Sequence, residues 1–477
     1  MAAFALTAGM VAQATGGRPI AGSPDRAFES VSIDSRSLRA GALFIAIKGD
    51  RFDGHAFVED AVRRGATGLL VSTTTPGVVS GANREPTPGV VVVEVPDTVV
   101  ALQQLARAVR RQSGATVVAI TGSAGKTTTK EIAATLIEAR HSVVRNVGNF
   151  NNHIGLPLSL LELRAGPDVA VMELGMNHAG EIRTLVGIAE PEVRVWLNVG
   201  DAHIGHFGSR EAVAAAKAEI LEAPGPRAVL VANADDPLVT RHITGWTGRL
   251  VTFGEDRRAT VRASRIVDRG FQGTTAEVET PLGSLALTIP LAGRAHAMNV
   301  LAAMAIALEF KVPLTDMASR IAALQPVARR GTMTPLANGA SLVNDSYNAS
   351  PAAVRSMLDA LGATPVAGRR IAVLGEMLEL GEAARALHES CGQAAVAAKV
   401  TELFAIGGPA ADGYVDGAVA AGLARQRIHR FPDSAAAADA IVALVQPGDL
   451  VLVKGSRGIR TDLVADRLLQ DRDGAGS

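Results

Sequence analysis

The sequence predicts an α/β protein of three domains, with a parallel sheet in the central one. Three observations carry that expectation. The length of 477 residues suits about three domains. Val117 to Ile120 form a short apolar run that leads through a glycine turn into a helix, the pattern of a strand buried on both faces. The later apolar runs Val169 to Met172, Val193 to Asn198 and Ala228 to Ala232 alternate with helical stretches, as strands of a parallel sheet do.

The first section, 1–114, opens on Met1 to Gly17, small and apolar without a basic leader, and is expected to form a short helix instead of a signal peptide. Asp34-Ser35-Arg36 falls in a polar turn, and Leu43 to Ile47 make a strand. Gly49-Asp50-Arg51-Phe52-Asp53-Gly54-His55 is a glycine-punctuated loop before a helix from Phe57 to Arg64 and the strand Gly68 to Val71. Residues 72–90, rich in Thr, Ser, Pro and Gly, read as a surface loop. A helix from Thr98 to Arg111 ends at Gln112-Ser113-Gly114, the first expected domain boundary.

The central section, 115–328, holds the most informative stretch, Thr121-Gly122-Ser123-Ala124-Gly125-Lys126-Thr127-Thr128. Gly122 and Gly125 let the backbone curl so that successive N–H groups face phosphate oxygens, with a helix N-terminus behind them. Lys126 adds a mobile charge for the β and γ phosphates, and the Thr127 hydroxyl suits a Mg²⁺ ligand. The usual eight-residue pattern has a glycine where Ile120 stands, so this is a variant P-loop, and it predicts ATP binding. Polar residues gather at three strand ends: Glu173, Asn198 to His206, and Asn233-Ala234-Asp235-Asp236. Ligands of open parallel sheets collect there. Glu173 is placed one residue past its strand, where a carboxylate can meet Mg²⁺. His203 is either a packed histidine or a member of the site. Lys217, on the expected helix Arg210 to Ala223, reads by itself as a solvated lysine, and spacing does not promote it.

The last section, 329–477, is again α/β. Ile371 to Leu374, Leu403 to Ile406 and Leu450 to Val453 read as buried strands between alanine-rich helices, and Lys454-Gly455-Ser456-Arg457-Gly458 is a second glycine turn carrying cations. Composition narrows the rest. Lys plus Arg equals Asp plus Glu at 47 each, so no global field favours nucleic acid or an anionic membrane. No apolar run approaches the ~20 residues of a membrane span. The single Cys391 excludes an internal disulfide framework and fits a reducing cytoplasm. A neutral surface without coiled-coil periodicity leaves monomer as the default.

The P-loop, Glu173-Leu174-Gly175, Asn198 to His203, Ala216-Lys217, Asn233 to Asp236 and His296 with Asn299 together resemble the Mur ligase family, the ATP-dependent amide ligases of peptidoglycan synthesis. Further stretches select a branch: Asn149 to Pro157, Met172 to His178, Asp345-Ser346-Tyr347-Asn348-Ala349-Ser350-Pro351, Gly375-Glu376-Met377-Leu378-Glu379-Leu380-Gly381, and Val453 to Gly458. They are most similar to the enzymes that add D-Ala-D-Ala to UDP-N-acetylmuramoyl tripeptide. The branch that adds the preceding amino acid shares the P-loop and Asp34-Ser35-Arg36 but carries other C-terminal motifs. Folylpolyglutamate synthetase has the same fold and chemistry but not the stretches from Asp345 and Asn149.

The resemblance implies a central P-loop ATPase domain between an N-terminal UDP-substrate domain and a C-terminal Rossmann-like domain. It implies an acyl phosphate made from a carboxylate and the ATP γ-phosphate, then attacked by an amine. Lys126, Glu173, His203 and Lys217 take the catalytic places, with Thr127, Glu173, His203 and a carbamylated Lys217 around Mg²⁺. Asn299 is implied at adenine, Asp345 at ribose, and Arg329 or Arg330 at phosphate. Ser35, Arg36, Asp53, Gly54 and His55 are implied at the UDP-sugar. Asn151 and Asn152 are implied on the substrate side, while Asn348, Lys454 and Ser456 face the dipeptide and phosphates. Three positions depart from the family pattern: Ile33, Ala179, and Val327-Ala328-Arg329-Arg330-Gly331, where the order around the arginine differs.

Overall fold

The computed structural model describes residues 2–49, 52–72 and 89–470. Asp50, Arg51 and 73–88 of the expected surface loop lie outside the described residues. The chain divides into two compact units, and parallel sheets with flanking helices recur in three domain-like regions.

The first unit comprises Met1–Ile120, Arg140–Arg194 and Glu222–Ala228. Its N-terminal sheet runs in the order Arg18–Ala21, Val91–Val95, Gly68–Ser72, Leu43–Ile45, Val31–Ser32. All neighbours are parallel except the first pair. Pro19 is tolerated because Arg18–Ala21 is an edge strand. The expected N-terminal helix is Ala8–Thr15, capped by the Thr7 side chain and closed at Gly16 in the left-handed conformation. Thr98–Ser113 forms the long helix: Asp97 accepts from the Val99 and Val100 amides at its start, and Leu102, Leu105, Ala106 and Val109 bury one face. Gly114 closes it, at the residue expected to end the first section. The strands Thr116–Thr121, Val169–Glu173 and Val143–Arg145 pair in parallel, with Val117–Ile120 and Ala170–Met172 wholly buried. Glu173 is the last residue of its strand instead of one past it, because its backbone still pairs opposite Ile120.

The second unit comprises Thr121–Ala139, Val195–Leu221 and Val229–Ser477. Helix Lys126–Ile137 follows the P-loop and packs against Arg294–Glu309, which is buried from Asn299 to Ala307 as a helix lying inside a core should be. Strands Val229–Asn233, Arg249–Gly254 and Val261–Asp268 pair in parallel. An antiparallel meander of Val261–Asp268, Thr274–Thr280 and Gly283–Ile289 follows, which the strand–helix reading did not anticipate. Its signal was alternation: Thr274, Ala276 and Val278 point inward while Glu277 and Glu279 face out. The expected helix from Arg210 stops at Ala218, and a 3₁₀ turn Glu219–Leu221 takes over.

The C-terminal sheet runs Thr332–Pro335, Ser341–Asp345, Leu450–Lys454, Arg370–Gly375, Glu402–Ile406, Ile428–Phe431, parallel throughout except at the first pair. The last strand in sequence, Leu450–Lys454, is inserted between Ser341–Asp345 and Arg370–Gly375. That change of order opens a crevice at the carboxyl ends, where Asp345 and Lys454 stand side by side.

Candidate functional site

The P-loop is held open by a second loop. Asn198 Oδ1 accepts from the Ala124 amide at 2.9 Å, its Nδ2 donates to Ala124 O at 3.0 Å, and its carbonyl accepts from the Ser123 amide at 3.1 Å. The Gly200 amide donates to Ser123 Oγ at 2.8 Å, and Asp236 Oδ2 accepts from the Val199 amide at 2.8 Å. The three polar strand ends thus have a division of labour in which Asn198 shapes the phosphate loop. Sequence reading gave Asn198 no role, although its place after an apolar run was the available signal. Lys126 folds back so that Nζ donates to Gly122 O at 2.9 Å, which keeps its charge over the loop.

Gly125 starts the helix at φ +82°, and a Cβ there would lie 2.3 Å from Asn299 Oδ1. Asn299 therefore packs directly behind the loop. Gly125→Ala meets both left-handed strain and this clash, and is expected to weaken binding of a non-hydrolysable ATP analogue about tenfold or more. Titration calorimetry checks it, and unchanged affinity would remove the loop from the nucleotide site.

Arg330 Nη2 donates to Thr127 Oγ1 at 3.2 Å, and its guanidinium lies 4.1 Å from the centre of the Tyr347 ring. Arg329 turns away, with φ +60°, and pairs with Asp462 at 3.1 Å and Asp466 at 3.2 Å. Of the two adjacent arginines, Arg330 is the one at the phosphate loop. Lys454 Nζ donates to Asp345 Oδ2 at 2.5 Å and to Asn348 O at 2.9 Å. The partly exposed His296 donates from Nδ1 to Ala292 O at 2.6 Å, and desolvation holds its pKa below the usual histidine range. Ser456 Oγ accepts from the Leu378 amide at 3.0 Å, so this side chain holds the Gly375–Gly381 turn.

Lys217 is 1% exposed, and its amine has no carboxylate partner among the described residues. Burial, and then the nearby charge of Lys126, hold its pKa well below that of an ordinary lysine. This is the reverse of the solvated lysine that spacing suggested. A lowered pKa favours the free amine that can add to CO₂, so the residue fits a carbamate. No group of three or more His, Cys, Asp or Glu among the described residues is arranged to hold a metal ion. Thr127 and such a carbamate would offer magnesium oxygen donors, which suit a hard cation.

His203 sits in the left-handed region at φ +64°, and its Nδ1 approaches Glu379 Oε2 at 2.7 Å in a bent geometry. The Gly205 amide donates to Glu379 O at 3.0 Å. Two residues before His203, the buried Asp201 takes Arg210 through both carboxylate oxygens, at 2.5 and 2.7 Å.

In the first unit Glu173 is buried and its carboxylate is aimed by Asn151, whose Nδ2 donates to Oε1 at 2.8 Å. Asn146, itself buried, accepts from the Glu173 amide at 3.0 Å and donates to Glu173 O at 3.2 Å. Asn152 Oδ1 accepts from the Ile154 amide at 3.2 Å and the Gly155 amide at 2.8 Å, just before the helix Gly155–Leu160. At the N-terminal sheet, Arg36 is locked on Asp34 at 2.7 Å, and this contact lowers the Asp34 pKa to about 2. Ser35 donates to Asp60, while Asp53 caps the turn that carries Gly54 and His55. His55 is buried: Nδ1 lies 2.6 Å from Asp53 Oδ1, and Nε2 accepts from the Ser72 amide at 2.9 Å. Both ring nitrogens of His55 are thus engaged.

Three family descriptions match in order: Mur ligase family, catalytic domain, over 27–110; Mur ligase middle domain over 120–307; and Mur ligase, glutamate ligase domain over 329–457. The UDP-N-acetylmuramoyl-tripeptide–D-alanyl-D-alanine ligase of Bacillus subtilis is 32% identical over 442 residues, 92% of this chain and 93% of that protein. The crystal structure of MurF from Acinetobacter baumannii superposes with a TM-score of 0.87 at 30% identity, covering 98% of this chain and all of that one. MurF from Thermotoga maritima in complex with ADP has a TM-score of 0.78 at 30% identity, covering 94% of this chain and 98% of that one.

Proposed function

The chain belongs to the Mur ligase family, and from that membership we propose that it joins D-Ala-D-Ala to UDP-N-acetylmuramoyl tripeptide, with ATP converted to ADP and phosphate, in the making of peptidoglycan precursors. The observation that carries the reading is Arg330, from the start of the C-terminal region, lying on Thr127 of the P-loop. A phosphoryl group leaving ATP in that loop is met by cations on two sides, Lys126 and Arg330, which offset the charge of two anions brought together.

The tripeptide carboxylate attacks the γ-phosphorus, and ADP leaves. The amine of D-Ala-D-Ala then attacks the acyl carbon, loses a proton and expels phosphate. The Asn198 bonds fix the backbone of Ser123 and Ala124, so the loop keeps its shape through both steps. Asp345 and Lys454, side by side at the crevice of the C-terminal sheet, are suited to ribose and phosphate respectively, and Asn348 beside them to the dipeptide. Asn299 is assigned to adenine, with Ser35, Arg36 and the Asp53–His55 turn assigned to the UDP-sugar. Magnesium, when bound, supplies charge for the migrating phosphoryl group. Thr127, Glu173, His203 and the carbamate of Lys217 are the ligands assigned to it. The free amine of Lys217 forms that carbamate by adding to CO₂ and releasing one proton. The three domains are assigned to 1–114, 115–328 and 329–477, a division supported by the three matched family segments. The protein is assigned to the cytoplasm, as a monomer.

Phosphate release tests the whole scheme. It is expected only when ATP, the UDP-muramoyl tripeptide and D-Ala-D-Ala are all present. Rapid release from ATP and Mg²⁺ alone would replace the ligase with a switch or transport ATPase.

A further inference from the structure

Two arginines stand side by side in the chain at 329 and 330, and the structure treats them differently. Arg329 pairs with Asp462 and Asp466, so two carboxylates offset its charge. Arg330 has no carboxylate partner among the described residues, and Asp345, on the strand beside it, is taken by Lys454 at 2.5 Å. Arg330 rests instead on the half-buried Tyr347 ring, 4.1 Å from its centre, with Nη2 on Thr127 Oγ1. Strand register brings the two together. Thr332 pairs opposite Asn344, and the Gly331 amide donates to Asn344 O at 3.0 Å. One step further on, the Tyr347 amide donates to Arg329 O at 3.2 Å. Backbone bonds thus flank Arg330 on both sides and tie it to the loop that carries the ring. The Tyr347 hydroxyl makes no hydrogen bond to the described residues, so what this side chain offers is its face.

A guanidinium on a long side chain needs a support if it is to meet a moving phosphoryl group at one place. A carboxylate would fix it but would cancel its field at the phosphate. The face of an aromatic ring attracts the cation through its quadrupole and leaves the net charge whole. We propose that Tyr347 is a positioning residue for Arg330: its ring seats the guanidinium beside Thr127 with the positive charge undiminished for the phosphates. The ring works only through Arg330, so its effect should vanish when that arginine is absent. Arg457, in the Lys454–Gly458 turn, comes to 5.9 Å from the same ring centre, at the outer limit of such attraction, and Arg330 is the cation that the ring holds. This inference rests on the ligase reading for the phosphoryl transfer that Arg330 serves, but its first readouts need no peptide substrate.

The test is a double-mutant cycle in the full-length protein, read by calorimetry with a non-hydrolysable ATP analogue. Tyr347→Leu keeps an apolar bulk but removes the aromatic face, and is expected to weaken analogue binding about 3- to 30-fold. The same substitution in an Arg330→Met background, where no cation is left for the ring, should cost less than about twofold. A tyrosine that merely supports the fold would cost the same in both backgrounds. Tyr347→Phe, which keeps the face and drops the hydroxyl, should stay within about twofold of wild type. In steady-state phosphate release with all substrates, kcat should fall in Tyr347→Leu and recover in Tyr347→Phe. Nitrogen-edited NMR without nucleotide reads the contact itself. The Arg330 Nε–H signal, assigned by its loss in Arg330→Met, should lie upfield through the ring current in wild type and Tyr347→Phe, and return to the ordinary arginine position in Tyr347→Leu. If the leucine variant does not fold, Tyr347→Met replaces it. Unchanged affinity without the ring, equal losses in the two backgrounds, a phenylalanine variant as weak as the leucine one, or an Arg330 signal without a ring shift overturns the proposal. An active ligase lacking these effects sinks this inference alone. A protein that shows them but does not ligate sinks only the functional reading.

Discussion

Lys126→Ala is expected to slow turnover by about 10²-fold or more while leaving the fold intact. Its Nζ donates to Gly122 O, four residues back at the turn of the phosphate loop. The charge matters at the moment the γ-phosphoryl group moves, and alanine leaves Arg330 as the remaining cation observed on the loop. The variant has a second consequence. Burial first and then Lys126 lower the Lys217 pKa, so removing Lys126 lets Lys217 hold a proton more readily and form less carbamate. Part of the lost rate should therefore return at high bicarbonate, where CO₂ competes better for the amine. Steady-state phosphate release at two bicarbonate levels, with thermal melts alongside, separates the two effects. A variant that turns over at near-normal rate, or one that is unfolded, contradicts the assignment.

Much of this site was legible because a few residue types admit little else. A strand, two glycines, a lysine and threonines in the order from Val117 to Thr128 leave hardly any alternative to a phosphate loop, and the structure adds the left-handed Gly125 that the motif requires. Buried strands were equally legible: Val169–Glu173 and Leu450–Lys454 are continuous apolar runs because both faces are covered. The antiparallel meander after Val261 was not anticipated, since half of each strand faces water and its polar residues resemble loop. Position within an apolar run could be read, whereas half-exposed alternation was passed over.

Partners were harder to read than places. Nothing in Val327 to Gly331 distinguishes Arg329 from Arg330, because one residue's rotation decides which reaches Thr127 and which reaches Asp462. His55 is buried between Asp53 and the Ser72 amide, a pairing that the sequence does not show. Asn198 and Glu379 act on residues far along the chain, and such pairings exist only once the loops are folded. Lys217 is the sharpest case. Helical spacing makes it a surface lysine, and only the packing around it shows a side chain closed off from water.

Lys217→Ala is accordingly expected to lose nearly all activity, and Lys217→Arg is expected not to restore it. If the residue worked as a cation, arginine would be the better substitute, since it keeps its charge in any environment. The site argues the other way: burial and Lys126 both disfavour a charged ammonium, and no carboxylate among the described residues compensates it. A carbamate reverses the sign, placing an anion near Lys126 and giving a hard cation an oxygen ligand. Arginine would bury a permanent positive charge beside Lys126, so it should be destabilising as well as inactive, with a lower melting temperature than the alanine variant. Acetate or formate at high concentration can occupy the space vacated in Lys217→Ala and supply the missing carboxylate, so partial recovery of phosphate release is the expected result. Chloride at equal ionic strength, which brings no carboxylate, should recover nothing. Activity in Lys217→Arg, or a high-resolution map of wild type grown with bicarbonate at neutral pH that shows a bare amine, would return Lys217 to a structural role and leave the cation to other oxygens.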